Sequence, residues 1–187
     1  MLYAPGRLGE VELTAYVFAE GLLGGIVGRN IAIQFFNFHW RVQRSPLPFE
    51  LKSVHVALNP EKTAATAFVD KNCNPVEKVS DSDNAEIISK MMAPAILNAE
   101  EQEEVVFEVT RETDKLVEGE LFLNNRRGML QCVKTEDNDF IRVRCPISQD
   151  RFGMLPHRAI GGLLRVKDVV QVEAKMPKHV MAKLREM

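Results

Sequence analysis

Alternation of apolar and polar residues with a period of two recurs along the chain, and it constrains the fold more than any other feature. It is clearest in "NIAIQFFNFHWRVQ", residues 30–43, a segment that holds the one tryptophan of the sequence. In an extended chain, Phe38 and Trp40 point to one face and His39 points to the other. Helical spacing would scatter the aromatic side chains around the whole circumference. The pattern therefore predicts one strand over residues 31–42, with His39 on its polar face.

Three further segments before residue 80 show the same alternation. They are "EVELTAYVF" at 10–18, "PFELKSVHVAL" at 48–58 and "KTAATAFVD" at 62–70. Short alternating segments separated by glycine- or proline-containing loops are typical of antiparallel sheets. Residues 1–79 are therefore predicted to form an antiparallel N-terminal β module.

A helix is predicted next, within a linking segment at residues 80–102. Ser80 can cap its N-terminus, and aspartates in the first turn suit the helix dipole. Apolar residues then recur at helical spacing, and we expect the methionine pair among them to fill the core. These residues are Ile87, Ile88, Met91, Met92, Ala95 and Ile96. Pro94 predicts a kink or a stop.

A second β-rich module is predicted over residues 103–187. Its segments "EEVVFEVT", "KLVEGELFL", "GMLQCVK" and "DFIRVRC" alternate and are separated by turn sequences, as in a meander. One or two closing strands and a terminal helix starting near Pro177 follow. The expected fold is mainly β, of the α+β class. Two antiparallel β modules, each a sandwich or a small barrel, are joined by a helix, and the C-terminal module resembles a small barrel with a terminal helix.

Charge is segregated along the chain, although the net charge is only −2. Residues 98–123 carry nine acidic residues against two basic ones, and residues 124–167 carry nine basic residues against four acidic ones. The small net charge argues against a bulk electrostatic attraction to nucleic acid or anionic membrane, but it leaves room for local patches. No apolar stretch reaches the roughly 18 residues of a membrane span, so none is expected.

Cysteine usage indicates a reducing environment. Cys73, Cys132 and Cys145 are odd in number and have no C-x-x-C spacing, which argues against a structural zinc site or a disulfide framework. Cys132 and Cys145 fall in alternating segments, where cysteine is mostly a small buried residue. A cytoplasmic location is expected.

No catalytic or metal-binding motif is present. The four histidines, at positions 39, 55, 157 and 179, have neither H-x-H nor H-x-x-x-H spacing, and no run of carboxylates lies near them. A nucleophilic cysteine would need a base within hydrogen-bond reach, and the sequence indicates none. We therefore expect no enzymatic activity, no metal and no cofactor, although a ligand set assembled by the fold stays open.

Arginines form the most specific candidate binding feature. Arg142 and Arg144 are two residues apart and so share one face of a predicted strand. Guanidinium groups can bind phosphates bidentately. Pairing of these arginines with the acidic segment 100–120 is the alternative. The candidate ligand-binding residues are Arg126, Arg127, Arg142, Arg144, Arg151 and Arg158.

Two binding functions follow from these features. The leading hypothesis is a non-enzymatic adaptor, a subunit or regulator of a larger cytoplasmic assembly. It would contact protein partners through its charged faces and its aromatic strand, since arginine and aromatic residues dominate interface cores. The alternative is a receptor for a phosphate-bearing ligand, such as a cyclic dinucleotide, a nucleotide or nucleic acid, which would bind the arginine-rich face of the C-terminal module.

Overall fold

The computed structural model describes residues 2–5, 11–20, 29–43, 50–155, 158–159 and 164–180. The strands in this part of the chain are β1 (Leu2–Pro5), β2 (Glu12–Val17), β3 (Ala19–Glu20), β4 (Asn30–Phe35), β5 (Phe38–Gln43), β6 (Glu50–Ala57), β7 (Thr63–Val69), β8 (Pro75–Lys78), β9 (Glu104–Glu112), β10 (Leu116–Leu123), β11 (Arg126–Glu136), β12 (Phe140–Ser148), β13 (Arg158–Ala159), β14 (Leu164–Val166) and β15 (Val169–Pro177). The helices are α1 (Asp81–Met92) and two 3₁₀ turns, Pro60–Lys62 and Asp150–Phe152. Residues 178–180 are also helical.

Twelve of these strands form one antiparallel sheet. Its order is β1-β5-β6-β9-β10-β11-β12-β15-β2-β4-β7-β8, and β13, β14 and β3 form a second, three-stranded sheet. The prediction of a mainly β fold is confirmed. The predicted meander is confirmed as well, because β9, β10, β11 and β12 follow one another both in the chain and in the sheet.

Strands from both predicted modules belong to the large sheet. β6 pairs with β9, and β2 pairs with β15, so segments from residues 1–79 and 103–187 are joined at two places. The division into modules at 1–79 and 103–187, linked by 80–102, stays a prediction.

The large sheet curls so that one face becomes an interior. Phe38 and Trp40 of β5 belong to the same buried cluster as Leu13 of β2, although six strands separate β5 from β2 in the order of the sheet. Such contacts require the two distant parts of the sheet to face each other. Alternate residues of each strand thus point inward, as the period-two pattern of the sequence demands.

The prediction of a single strand over residues 31–42 is wrong. The chain leaves the sheet at Phe36 and Asn37, and β4 and β5 pair with different neighbours. The inward side changes at this break: Ile33 faces the interior at an odd position of β4, whereas Trp40 does so at an even position of β5. The buried positions therefore change from odd to even at the break, which one continuous strand could not do.

The predicted linking helix is present as α1. The Ser80 hydroxyl accepts a hydrogen bond from the backbone N–H of Asp83 at 3.1 Å, as an N-cap does. Ile88 and Met92 are buried against the sheet, and the helix ends at Met92, two residues before Pro94. The predicted terminal helix begins at residues 178–180, and its remainder lies outside the described residues. None of the helices within the described ranges has the length and apolarity needed to cross a membrane.

Candidate functional site: an apolar cavity inside the sheet

The interior of the curled sheet contains a cavity of about 450 Å³. Its walls come from strands at distant positions in the sheet, and Met91 of α1 and Leu97 also contribute. The lining is almost entirely aliphatic and aromatic; examples are Ile31, Trp40, Val56, Phe107, Val143 and Val172. Each of these side chains points inward from its own strand. The cavity is therefore a space that the inward side chains leave unfilled.

A glycine in β10 shapes one part of this wall. A Cβ atom at Gly119 would lie 2.6 Å from Cζ of Phe107 and 2.4 Å from the carbonyl oxygen of Glu108. Carbon atoms do not approach other heavy atoms so closely without displacing them. Glycine thus allows the Phe107 ring to lie against the backbone of β10, next to the cavity.

An ion pair lies among the apolar lining residues. A bulge in β9 pairs Gly119 with Val109 but Glu118 with Arg111, which turns Glu112 toward the interior. The Glu112 carboxylate accepts a hydrogen bond from Nζ of Lys134 at 2.7 Å, and both residues line the cavity. Because the two charges compensate each other, this part of the wall is polar without a net charge.

Trp40 carries a polar group into the interior. Its side chain lines the cavity and is 5% exposed. The buried indole N–H has no hydrogen-bond acceptor among the described residues. Leaving a buried donor of this kind without an acceptor costs roughly 1–3 kcal/mol.

The cysteines differ from the expectation. Cys132 and Cys145 form a disulfide between β11 and β12, so the argument from an odd number of cysteines was wrong for this pair. The strand register places them opposite each other, one step from the Val133–Arg144 pair. Cys132 is fully buried and Cys145 lines the cavity, while Cys73 lies outside the disulfide.

The candidate arginines whose side chains are described lie on the outer face or at a turn, and they do not form a single cluster. Arg126 donates to the backbone carbonyl oxygen of Arg151 at 3.3 Å, so these two meet beside the turn Asp150–Phe152. Arg127 pairs with Glu120 at 3.1 Å. The backbone of Arg158 lies in β13, and its side chain is outside the described part of the structure.

Arg142 and Arg144 share the outer face of β12, as predicted, and each binds an acid. Arg142 forms an ion pair with Asp137, which lowers the pKa of that carboxyl to about 2, with further help from the Phe140 and Asp139 backbone N–H groups. Arg144 donates two hydrogen bonds to Glu173, at 2.6 and 3.2 Å. Burial lowers the pKa of Arg144, but the Glu173 carboxylate outweighs burial and the net change is upward.

Arg144 also borders a surface depression with a basic lining. Lys71 and Lys167 line the same depression, together with Cys73 and Asn30. Burial raises the pKa of the Cys73 thiol, partly offset by the nearby Arg144. A candidate arginine thus lies with two lysines in one concave surface.

A histidine pair that the sequence left unconnected lies on the outer face of the sheet. His39 of β5 and His55 of β6 are directly opposite each other, with parallel rings whose centroids are 4.6 Å apart. Glu104 of β9 lies beside both. Burial lowers the pKa of His39, and the neighbouring His55 lowers it further. Donor atoms of these three residues lie within 4.8 Å of one another, so the group could hold a metal ion.

Sequence reasoning identified the inward residues but not the cavity. It predicted Phe38 and Trp40 on one strand face, and both are buried. No local pattern distinguishes a filled interior from one with a space, because that depends on the curvature of the whole sheet. For His39 and His55, the missing information was the β5–β6 register.

No model of a known protein family matches the sequence, and no curated protein matches it. The structure is similar to the crystal structure of BcnA from Burkholderia cenocepacia, with a TM-score of 0.51 and 10% sequence identity. The match covers 88% of this chain and 94% of the BcnA chain. At that identity the likeness concerns the fold, over nearly the whole length of both chains.

Proposed function

We propose that this protein binds an apolar small molecule in the cavity inside its sheet, without chemical conversion of that molecule. The observation that carries the proposal is the cavity itself, about 450 Å³ with an almost wholly apolar lining. Ligand-binding cavities typically measure about 300–1,000 Å³ and are lined mainly by hydrophobic and aromatic side chains. Filling such a space with an apolar molecule removes the molecule's surface from water, which is favourable by roughly 25 cal/mol per Å².

Two polar features restrict the ligand further. The Trp40 indole N–H lacks an acceptor among the described residues. A ligand with one carbonyl, ether or hydroxyl oxygen would accept a hydrogen bond from it. The Glu112–Lys134 pair offers a neutral polar region of wall. The ligand class that fits is a largely hydrocarbon molecule with one hydrogen-bond acceptor.

A capture experiment tests this proposal. The purified protein is incubated with a chloroform–methanol extract of cells, purified again, and extracted with solvent for mass spectrometry. We expect one apolar compound class to be enriched close to one molecule per protein. The double variant Val143→Phe/Ala174→Phe, which adds bulk at two neighbouring positions of the cavity wall, on the paired strands β12 and β15, should retain much less.

The matched control is Val133→Phe/Val169→Phe. Both valines lie on the outer face of the same region and are 56% and 40% exposed, so the added rings do not enter the cavity. Equal retention by wild type and both double variants, or enrichment of nothing by any of them, would contradict the proposal.

The adaptor function stays a prediction, and so do its protein partners. The aromatic side chains expected at a contact surface are partly used inside: Phe38 and Trp40 are buried, whereas Phe36 is 57% exposed. The outer face of the sheet carries charged side chains, and some of them pair with each other, such as Arg127 with Glu120 and Arg144 with Glu173.

A phosphate receptor is the second candidate, and one observation favours it. The depression lined by Lys71, Arg144 and Lys167 places three cationic side chains in one concave surface. Binding of a cyclic dinucleotide, a nucleotide or nucleic acid that is lost in Arg142→Ala/Arg144→Ala would support this candidate over the cavity.

The expected cytoplasmic location also stays a prediction. The Cys132–Cys145 disulfide is the feature that bears on it, because disulfides persist mainly in oxidising compartments. The oxidation state of these two residues in protein from the native source distinguishes the alternatives.

A further inference from the structure

A cluster of metal-ligating side chains lies on the face of the sheet opposite the cavity. His39, His55 and Glu104 come from the adjacent strands β5, β6 and β9. Their side chains point to the other face of the sheet from inward neighbours such as Trp40 and Val54. The cluster is therefore separate from the proposed ligand cavity.

Its geometry is set by the sheet. His39 and His55 are cross-strand partners, and Glu104 lies two residues from Val106, the β9 partner of His55. Nδ1 of His55 is 2.9 Å from Oε2 of Glu104, and Nε2 of His39 is 4.0 Å from Oε1 of the same carboxylate. Glu104 thus presents one oxygen to each imidazole.

These donors suit a transition-metal ion. Imidazole nitrogen and carboxylate oxygen bind Zn²⁺ at about 2.0–2.2 Å, so two donors on a tetrahedral ion are about 3.3–3.6 Å apart. The donors here lie within 4.8 Å of one another. The side chains of His39 and Glu104 are 24% and 37% exposed, which leaves them room for the small rotation that would bring all three onto one ion.

A neighbouring hydroxyl supports the orientation that a metal ligand needs. Nε2 of His55 lies 2.9 Å from Oγ of Ser53, and both residues are 6% exposed. When the Nε2–H group donates to Ser53, the Nδ1 lone pair points toward Glu104 and can bind a metal. Histidine ligands in metal sites usually have such a partner on the second ring nitrogen.

The alternative role for this group is a catalytic relay of serine, histidine and carboxylate. A nucleophilic serine must meet its substrate, and Ser53 is buried with only 6% of its surface exposed. The relay also assigns no part to His39, whose ring stacks on that of His55. Metal coordination uses His39, His55 and Glu104 together, and it does not require Ser53 to be accessible.

We propose that His39, His55 and Glu104 bind one divalent transition-metal ion of the Zn²⁺ class. Three protein ligands leave at least one coordination position of such an ion for water or for a further ligand.

Binding of Zn²⁺ to the full chain tests the proposal. Protein stripped with a chelator is titrated with ZnCl₂ by isothermal calorimetry, and we expect one ion per chain. His39→Gln and Glu104→Gln should each weaken binding at least about tenfold, which is about 1.4 kcal/mol. His39→Gln leaves the close contact of His55 with Glu104 in place, and it is the primary variant for that reason.

His179→Gln is the matched control, since His179 is exposed and does not belong to the cluster. Its affinity should equal that of the wild type. A second readout is the visible absorption of bound Co²⁺, which should change in His39→Gln and persist in the control. Circular dichroism establishes that each variant is folded. No stoichiometric binding by the wild type, or unchanged affinity in both folded site variants, would overturn the proposal.

Discussion

Two arginines of one strand show how far a residue's neighbours can be predicted. The spacing of Arg142 and Arg144 placed both on the outer face of β12, opposite Val143, and the structure agrees. Their acidic partners were not predictable from spacing. Asp137 comes from the adjoining turn and Glu173 from β15, and only the register of the sheet determines which acid lies within reach.

The first prediction concerns Asp137, whose pKa is held at about 2 against an ordinary value of 3.8. Arg142→Ala removes the largest cause, so the pKa should rise toward 3.8. Because the folded-state value is lowered, this pair stabilises the fold above the ordinary pKa, and that contribution disappears as the pH falls toward 2. The pKa is measured from the carboxyl carbon shift in an NMR titration. Arg127→Ala, which removes a different ion pair, should leave it unchanged; an unchanged value in Arg142→Ala would contradict the assignment.

At the scale of elements, local patterns predicted most strands but not which strands pair with each other in the sheet. The meander β9 to β12 was predictable because short turns join consecutive strands, which then pair. The break at Phe36 and Asn37 was not predictable, because apolar residues continue on both sides of it and no glycine or proline marks it. The disulfide was within reach of sequence reasoning: the turn between β11 and β12 sets a register in which Glu136 pairs with Ile141, and continuing it brings Cys132 and Cys145 opposite each other.

The second prediction follows from that disulfide. Protein denatured without a reducing agent should take up one iodoacetamide label, on Cys73, and three labels after reduction. The double variant Cys132→Ala/Cys145→Ala should lose about 3 kcal/mol of unfolding free energy, the loop-closure value for a separation of this size. Mass spectrometry counts the labels and urea unfolding gives the free energy. Uptake of three labels without reduction would show that the bond is absent.

At the scale of the whole molecule, the sequence predicted the class of fold but not the cavity. The alternation predicts which side chains point inward. Whether they fill the interior depends on how strongly the sheet curls and on pairs between distant segments, such as β2 with β15. The cavity volume is the difference between the volume inside the curled sheet and the volume of the inward side chains. No short segment of the sequence determines that difference.

The position of Trp40 makes that space directly measurable. It is the single tryptophan of the chain, and it lines the cavity. N-phenyl-1-naphthylamine is an uncharged apolar probe that absorbs where tryptophan emits. Energy transfer from Trp40 therefore reports a probe molecule that is bound inside the sheet.

Titration of the wild-type protein with this probe tests the central claim most directly. Binding of one probe molecule should quench Trp40 emission and raise probe emission together, with a dissociation constant in the micromolar range. Val143→Phe/Ala174→Phe should weaken binding at least about tenfold, and the outward control Val133→Phe/Val169→Phe should match the wild type. If Trp40 emission is not quenched, or if both double variants bind the probe equally well, the cavity is not a ligand site.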